Sequence, residues 1–273
     1  MLKNIYSQIT ERVRVRVRYI LDPDFREKKD EFSRLQQLPR RVSTTTSLLG
    51  PTTHLIDAAS FLSAYRAIFE TEIYAFNPVC KAPRIIDGGA NVGLATLYWK
   101  KHFPQADIIA FEPDLEVFTI LQKNIESHDC RNVSLISKGL WSHDGTLEFQ
   151  SDGADAGHIA KVSRERSGTK SVGVTRLVPY LHERVDLLKL DIEGGEVEVL
   201  SDVAGHLGTV QNIFVEYHSY LSQEQRLDEV LRVLRQAGFR IHIQPELVAS
   251  QPFLERKDSF GMDQRLNIFA YRE

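Results

Sequence analysis

Four apolar runs in this sequence end on an acid. Ile85-Ile86 ends on Asp87, Ile108-Ile109-Ala110-Phe111 on Glu112, Leu187-Leu188-Lys189-Leu190 on Asp191, and Ile213-Phe214-Val215 on Glu216, with His218 two positions further on. Runs of this length and composition read as buried strands. A charge on such a strand is costly unless it is paired or has work to do. Alternation at period two places Lys189 with Asp191, and Glu216 with His218, on shared strand faces. In an open α/β sheet the carboxyl ends of the strands line the ligand crevice. Asp191, Glu216 and His218 are therefore expected to converge at one site, as the catalytic group. For Lys189 the plainer reading, a structural ion pair with Asp191, is preferred.

The turn after Asp87, Gly88-Gly89-Ala90-Asn91-Val92-Gly93, narrows the ligand. A dinucleotide fingerprint needs Gly-x-Gly-x-x-Gly, so that backbone can approach a pyrophosphate. From Gly88 that pattern meets Ala90, and from Gly89 it meets Asn91 and Leu94, so neither register fits. A carboxylate at Asp87 would also repel a pyrophosphate, whereas it suits a ligand carrying an ammonium group. Asp87-x-Gly89-x-Asn91-x-Gly93 matches an S-adenosylmethionine turn in which Asn replaces one glycine. Asn tolerates a left-handed backbone. Glu112, 25 positions after Asp87, is placed to accept a ribose diol. Taken singly, Asp87 could be a helix cap and Glu112 a solvated strand end; their combination in a strand–turn–helix–strand unit favours the cofactor. The expected cofactor set is Asp87, Gly88, Gly89, Asn91, Gly93, Glu112 and Asp114.

The elements that position these residues follow in order. Phe61, Tyr65, Ile68 and Phe69 recur at helical spacing ahead of the first strand. A helix from about Val92 ends in Lys100-Lys101-His102 before Pro104, a sound C-terminal signal. Asp114 can cap the next helix, with Leu115, Phe118, Leu121 and Ile125 as its apolar stripe. Val133 to Ile136 gives a third strand. Thr146–Phe149 and Val172–Val174 flank a long polar loop from Ser151 to Ser171, a length typical of lids and binding elements. Val185–Ile192 and Asn212–His218 are further core strands. Ser222-Gln223-Glu224-Gln225 reads as a capping box for a helix that ends at Gly238. The last two strands, Phe239–Ile243 and Leu266–Tyr271, have no helix between them. The expected fold is α/β: a mostly parallel doubly wound sheet closed at one edge by an antiparallel C-terminal hairpin.

The motifs Asp87–Gly93, Phe111-Glu-Pro-Asp114, Lys189-Leu-Asp-Ile-Glu-Gly-Gly-Glu196 and Val215-Glu-Tyr-His218 together resemble those of FkbM-type methyltransferases. The resemblance spans about residues 80–245. It implies a seven-stranded Rossmann-like fold that uses S-adenosylmethionine to methylate hydroxyls, on sugars of glycans or on polyketide-type products. It places Asp87, Gly89, Asn91, Gly93 and Glu112 at the cofactor and Asp191 and Glu216 at the acceptor. A hydroxyl is a poor nucleophile and needs a base, for which His218 has a suitable intrinsic pKa and Asp191 would serve if desolvated. Alternatively, Asp191 and Glu216 would hold Mg²⁺ and acidify the hydroxyl. The competing readings are a nicotinamide-dependent oxidoreductase, set against the broken glycine pattern, and a non-catalytic nucleotide-binding scaffold.

Residues 1–50 stand apart in composition and form an expected basic N-terminal extension to a methyltransferase domain over 51–273. Eleven Lys/Arg against six Asp/Glu give the extension +5, whereas the whole chain carries -3. Arg12, Arg14, Arg16 and Arg18 alternate with Val13, Val15, Val17 and Tyr19, the pattern of an extended strand with one cationic face. A solvated edge is preferred there; peripheral contact with anionic lipid is the sharper alternative. The overall charge argues against a nucleic-acid partner. Cys80 and Cys130 form neither a metal-ligand pattern nor a disulfide framework, and no apolar run approaches the roughly 20 residues of a bilayer crossing. The protein is expected in the cytoplasm.

Overall fold

The computed structural model describes residues 17–150, 158–159, 169–254 and 261–273. Its centre is a seven-stranded sheet built from β3 (Arg84–Gly88), β4 (Asp107–Phe111), β5 (Val133–Ile136), β10 (Val185–Leu190), β11 (Val210–Tyr220), β12 (Arg240–Leu247) and β13 (Met262–Tyr271). The order across the sheet is β12-β13-β11-β10-β3-β4-β5. β10 lies in the middle, and all six of its residues are buried, Asp186 and Lys189 included. This is why it reads as a near-continuous apolar run. The sheet is parallel except at β13, which runs antiparallel to both β11 and β12. The C-terminal hairpin thus closes one edge as expected, with its second strand inside and β12 outermost. Pro245 sits on this edge strand, where a missing N–H is tolerated.

The chain lays down β3, β4 and β5 in one direction, then crosses to β10 and β11 on the other side of β3. The order reverses between β3 and β10, which is where a doubly wound sheet binds its ligand. Helices α3 (Leu94–His102) and α4 (Leu115–Ser127) make the first crossovers; α5 (Glu196–Asp202) and α6 (Leu227–Gln236) make the later ones. α3 ends on its cations as predicted: Lys100 donates to the carbonyls of Pro104 at 2.8 Å and Ala106 at 2.9 Å. Asp114 caps α4, but Leu115 is exposed, so the buried stripe starts at Phe118. The predicted capping box does not form. α6 starts at Leu227, and its entry is held by the Arg226 N–H donating to the Tyr217 hydroxyl at 2.9 Å.

Between β5 and β10 the chain builds a second sheet, β6 (Gly139–Trp141), β7 (Gly145–Gln150), β8 (His158–Ile159) and β9 (Thr169–Arg176), ordered β6-β9-β7-β8. It takes up part of the expected loop: β8 pairs with β7, and β9 begins at Thr169. The rest of Ser151–Ser171 lies outside the described residues.

Ahead of the sheet come α1 (Pro23–Gln36), the hairpin β1 (Thr44–Thr46) and β2 (Thr53–Leu55), and α2 (Ala58–Tyr65), which continues into a π-turn at Arg66–Glu70. Leu35 and Leu48 are buried in one cluster with Leu55, Phe61, Leu62 and Ile68, so the change of composition near residue 50 is not an edge in the packing. The extended arginine strand does not hold where it can be seen. Residues 17–21 are helical, because local partners satisfy the turn: the Arg18 carbonyl accepts the Asp22 N–H at 2.8 Å, and the Arg18 guanidinium pairs with Asp22 at 3.2 Å. Arg12, Arg14 and Arg16 lie outside the described residues. Among the described residues no helix is long and apolar enough to cross a membrane.

Candidate active site

The Asp87 turn adopts the backbone its residue types require. Gly89, Asn91 and Gly93 have φ of +79°, +50° and +94°. The Asn91 side chain accepts the Val92 N–H at 2.7 Å, a local bond that suits Asn to this position. A Cβ on Gly89 would fall onto the Asp191 carbonyl oxygen and 2.9 Å from its carbon. The turns that follow β3 and β10 are therefore in backbone contact, and the Asp191 N–H donates to the Gly88 carbonyl at 3.2 Å.

Glu112 ties this turn to the end of β4. One of its oxygens accepts the Asn91 N–H at 3.0 Å and the other the Asp114 N–H at 2.9 Å. Burial nonetheless pushes its carboxyl up to about 7. Asp114 uses one oxygen to cap α4, accepting the Glu116 N–H at 2.9 Å, and the other to meet Lys170 at 3.1 Å.

Asp87 is placed differently from the expectation. Its side chain is 0% exposed, accepts the Thr96 hydroxyl at 2.8 Å and lies 3.2 Å from the Lys189 ammonium. The ammonium group at Asp87 is thus supplied by the protein. The cause is register, since Lys189 on β10 stands directly beside Asp87 on β3. Lys189 also donates to the Gly89 carbonyl at 2.8 Å and lies 3.4 Å from Asp191. It is the structural ion pair read from the sequence, with one carboxylate more than expected. Burial opposes its charge, but Asp191 and Asp87 outweigh it and raise the pKa.

The strand ends at Asp191, Glu216 and His218 do meet. Burial alone would raise Asp191; Lys189 and His218 outweigh it and hold the carboxyl low. Glu216 is raised by burial and by the Asp191 charge. Arg265 stands 3.1 Å from Glu216 and 2.7 Å from Glu246. Of the two carboxylates the sequence offered to Mg²⁺, Glu216 is thus already paired with a guanidinium. His218 is 0% exposed at its side chain, with Nδ1 3.0 Å from Glu196 and Nε2 3.4 Å from Glu193. Burial works against its charge, but Glu193 and Glu196 raise the pKa well above the usual histidine range. His218 thus faces two glutamates behind the cleft and does not reach into it as a base would.

Glu193 and Glu196 stood in the Lys189–Glu196 motif without an assigned role, and Tyr74 and Arg265 were not singled out by sequence. Glu193 shares the period-two spacing of Asp191 and has φ +55°, a strained value for a side-chain-bearing residue next to Gly194. Burial raises its carboxyl to about 7. Glu196 accepts the N–H groups of Ile192 at 3.2 Å and Gly194 at 3.1 Å, and so braces the turn. Tyr74 packs edge-on to Phe214 at 4.9 Å and lies over Lys189. A cleft opens here, with Asp191, Glu193 and Glu216 on one side and Phe61, Ile68 and Tyr74 on the other.

With this geometry in hand, comparison with known proteins is decisive. Residues 87–241, more than half of the chain, match the family model for the methyltransferase FkbM domain. The chain belongs to the FkbM methyltransferase family. Methyltransferase 1 of Beauveria bassiana is 33% identical over 178 residues, covering 56% of this chain and 71% of that protein. Methyltransferase sdnD of Sordaria araneosa is 32% identical over 188 residues, covering 56% and 73%. The hexuronic acid methyltransferase AglP of Haloferax volcanii is 28% identical over 166 residues, covering 57% and 68%. The protein is an S-adenosylmethionine-dependent methyltransferase of the FkbM type, and the nicotinamide reading falls.

One feature of the structure bears on the fit of that donor. The Ser137 hydroxyl oxygen, one residue past Ile136, whose carbonyl accepts the Glu112 N–H at 3.1 Å, is buried without a hydrogen-bond partner among the described residues. A buried hydroxyl left unpaired is costly, and a nucleoside over these strand ends would satisfy it.

Proposed function

We propose that this FkbM methyltransferase transfers the methyl group to a hydroxyl oxygen, with sugar hydroxyls as the acceptor class. The observation that carries the reading is Asp191: a carboxylate with a 23% exposed side chain, opening on the cleft and in backbone contact with the Gly89 turn. The turn from Gly88 to Gly93, with Glu112 and Ser137, would hold S-adenosylmethionine, which supplies a methyl already activated on sulfonium. Asp87 supports the turn from beneath through Lys189 and Thr96. Much of the rate then comes from positioning. Asp191, kept ionised by Lys189 and His218 rather than raised by burial, accepts a hydrogen bond from the acceptor hydroxyl and aligns its lone pair. It takes the hydroxyl proton as the C–O bond forms and the methyl's C–S bond breaks to leave a neutral thioether. Lys189 fixes the carboxylate.

A polar floor of Asp191, Glu216, Glu246 and Asn267 suits a hydroxyl-rich ligand, and the relative named for hexuronic acid methylation supports a sugar. A second acceptor class, a polyketide-type small molecule, is favoured by the apolar wall of Phe61, Ile68 and Tyr74. Incubating the enzyme with labelled S-adenosylmethionine and separate panels of sugars, nucleotide sugars and polyketides tests both. Label entering a sugar hydroxyl supports the first reading, and label confined to aglycones supports the second. Label on nitrogen or carbon removes both.

A further inference from the structure

Three donors at the rear of the cleft carry an inference that methyl transfer does not require. Asp191, Glu193 and His218 each offer one ligand atom, and the three atoms lie within 4.8 Å of one another. His218 is fully buried at its side chain, and its Nδ1 lies 3.0 Å from Glu196. With the Nδ1 hydrogen given to that carboxylate, a cation that displaces the second ring proton would meet Nε2 within 4.8 Å of an oxygen of Asp191 and of Glu193. Nε2 is buried and makes no hydrogen bond. Its 3.4 Å separation from Glu193 exceeds the roughly 2.7–2.9 Å of a charge-assisted hydrogen bond. A proton bridges such a gap poorly. Donors placed about 2.2 Å from a central cation would be spaced about 3 to 4.4 Å apart, which a closure of a few tenths of an ångström would reach.

We infer that Asp191, Glu193 and His218 bind one divalent cation, with Glu196 as the carboxylate that orients the histidine. This inference deepens the methyl-transfer reading of the same cleft. Two carboxylates with one imidazole form a mixed oxygen–nitrogen set that fits a first-row divalent ion better than Mg²⁺, and Mn²⁺ serves as the spectroscopic probe. A carboxylate behind a metal-binding imidazole sets its tautomer and raises its basicity. Asp191 and Glu193 line the cleft, so the ion's remaining positions would face an acceptor hydroxyl. An ion there would acidify that hydroxyl and leave Asp191 with less work as a base. Glu216, held by Arg265, stays outside the ligand set.

The test is Mn²⁺ binding to the full chain after chelator dialysis, read by the loss of the free-ion paramagnetic resonance signal. We expect one tightly held Mn²⁺ per chain, and ¹⁴N modulation from a single imidazole in the spin echo of the bound ion. Glu193→Gln should weaken binding at least tenfold, and Glu196→Gln by about 10- to 100-fold, with S-adenosylmethionine affinity retained in both. No bound Mn²⁺, or bound Mn²⁺ without ¹⁴N modulation, overturns the inference even if a variant fails to fold. Because the readout is binding rather than turnover, an absence of bound Mn²⁺ would defeat this inference and leave the proposed function standing, whereas label on nitrogen or carbon would defeat the proposed function and leave the binding result untouched.

Discussion

Replacing Gly89 by alanine probes the contact on which the whole site is built. At φ +79° an alanine pays the left-handed strain of roughly 1–2 kcal/mol. Its Cβ would also land on the Asp191 carbonyl, which is backbone on the central strand's exit and yields only if the β10 turn moves. Such overpacking costs typically about 1–3 kcal/mol, for a total of about 2–5 kcal/mol. Gly50 supplies the internal control. It has φ +96° and nothing near its would-be Cβ, so Gly50→Ala carries the strain alone. At roughly 2–4 °C per kcal/mol in a chain of this size, Gly89→Ala should melt about 4–20 °C below wild type and well below Gly50→Ala. Urea unfolding gives the free energies, and calorimetric titration should show that Gly89→Ala has lost S-adenosylmethionine. If the two variants melt together, the two turns are not in backbone contact and the placement of Asp191 beside the donor is wrong.

Three further outcomes are expected. Asp191→Asn should lower kcat by about 10²–10⁴ with donor affinity within a few-fold of wild type, as read by turnover and calorimetry side by side. Lys189→Met leaves Asp87 buried without its ammonium, and should cost about 3–5 kcal/mol in urea unfolding. Glu112 has a folded-state pKa raised to about 7 from 4.5, so its protonated form is the one the fold favours. That contribution is full below about pH 4.5 and is lost as pH rises to about 7, an effect of up to about 3 kcal/mol. Wild type minus Glu112→Gln, measured from pH 5 to 8, should therefore show wild-type stability falling with rising pH relative to the variant; a flat difference would refute the burial argument.

The sheet was legible because its strands obey simple rules. β10 is apolar on both faces because it is central, and two C-terminal strands without an intervening helix could only be antiparallel. The turn was legible at Gly89, Asn91 and Gly93, where each residue type answers to a left-handed φ. What stayed hidden depended on register and on distant partners. Nothing local to Asp87 reveals that Lys189, about a hundred positions later, stands beside it on the next strand. For the same reason Asp87 was read as open to a ligand, and His218 as a base when Glu193 and Glu196 enclose it. Arg265 reaches Glu216 from the last strand, a pairing set by the hairpin register. The arginine alternation at 12–18 suggested a strand, yet at Arg18 the i,i+4 bond to Asp22 prevails.

The central claim is that the methyl group ends on oxygen. Its direct test is transfer from ¹³C-methyl S-adenosylmethionine into an acceptor panel, with the product's methyl resonance read by carbon–proton correlation. The account predicts a single new ether methyl on a hydroxyl-bearing acceptor, formed by wild type and lost with Asp191→Asn. A new methyl on nitrogen, sulfur or carbon, or an ether methyl formed as fast by Asp191→Asn, would contradict it.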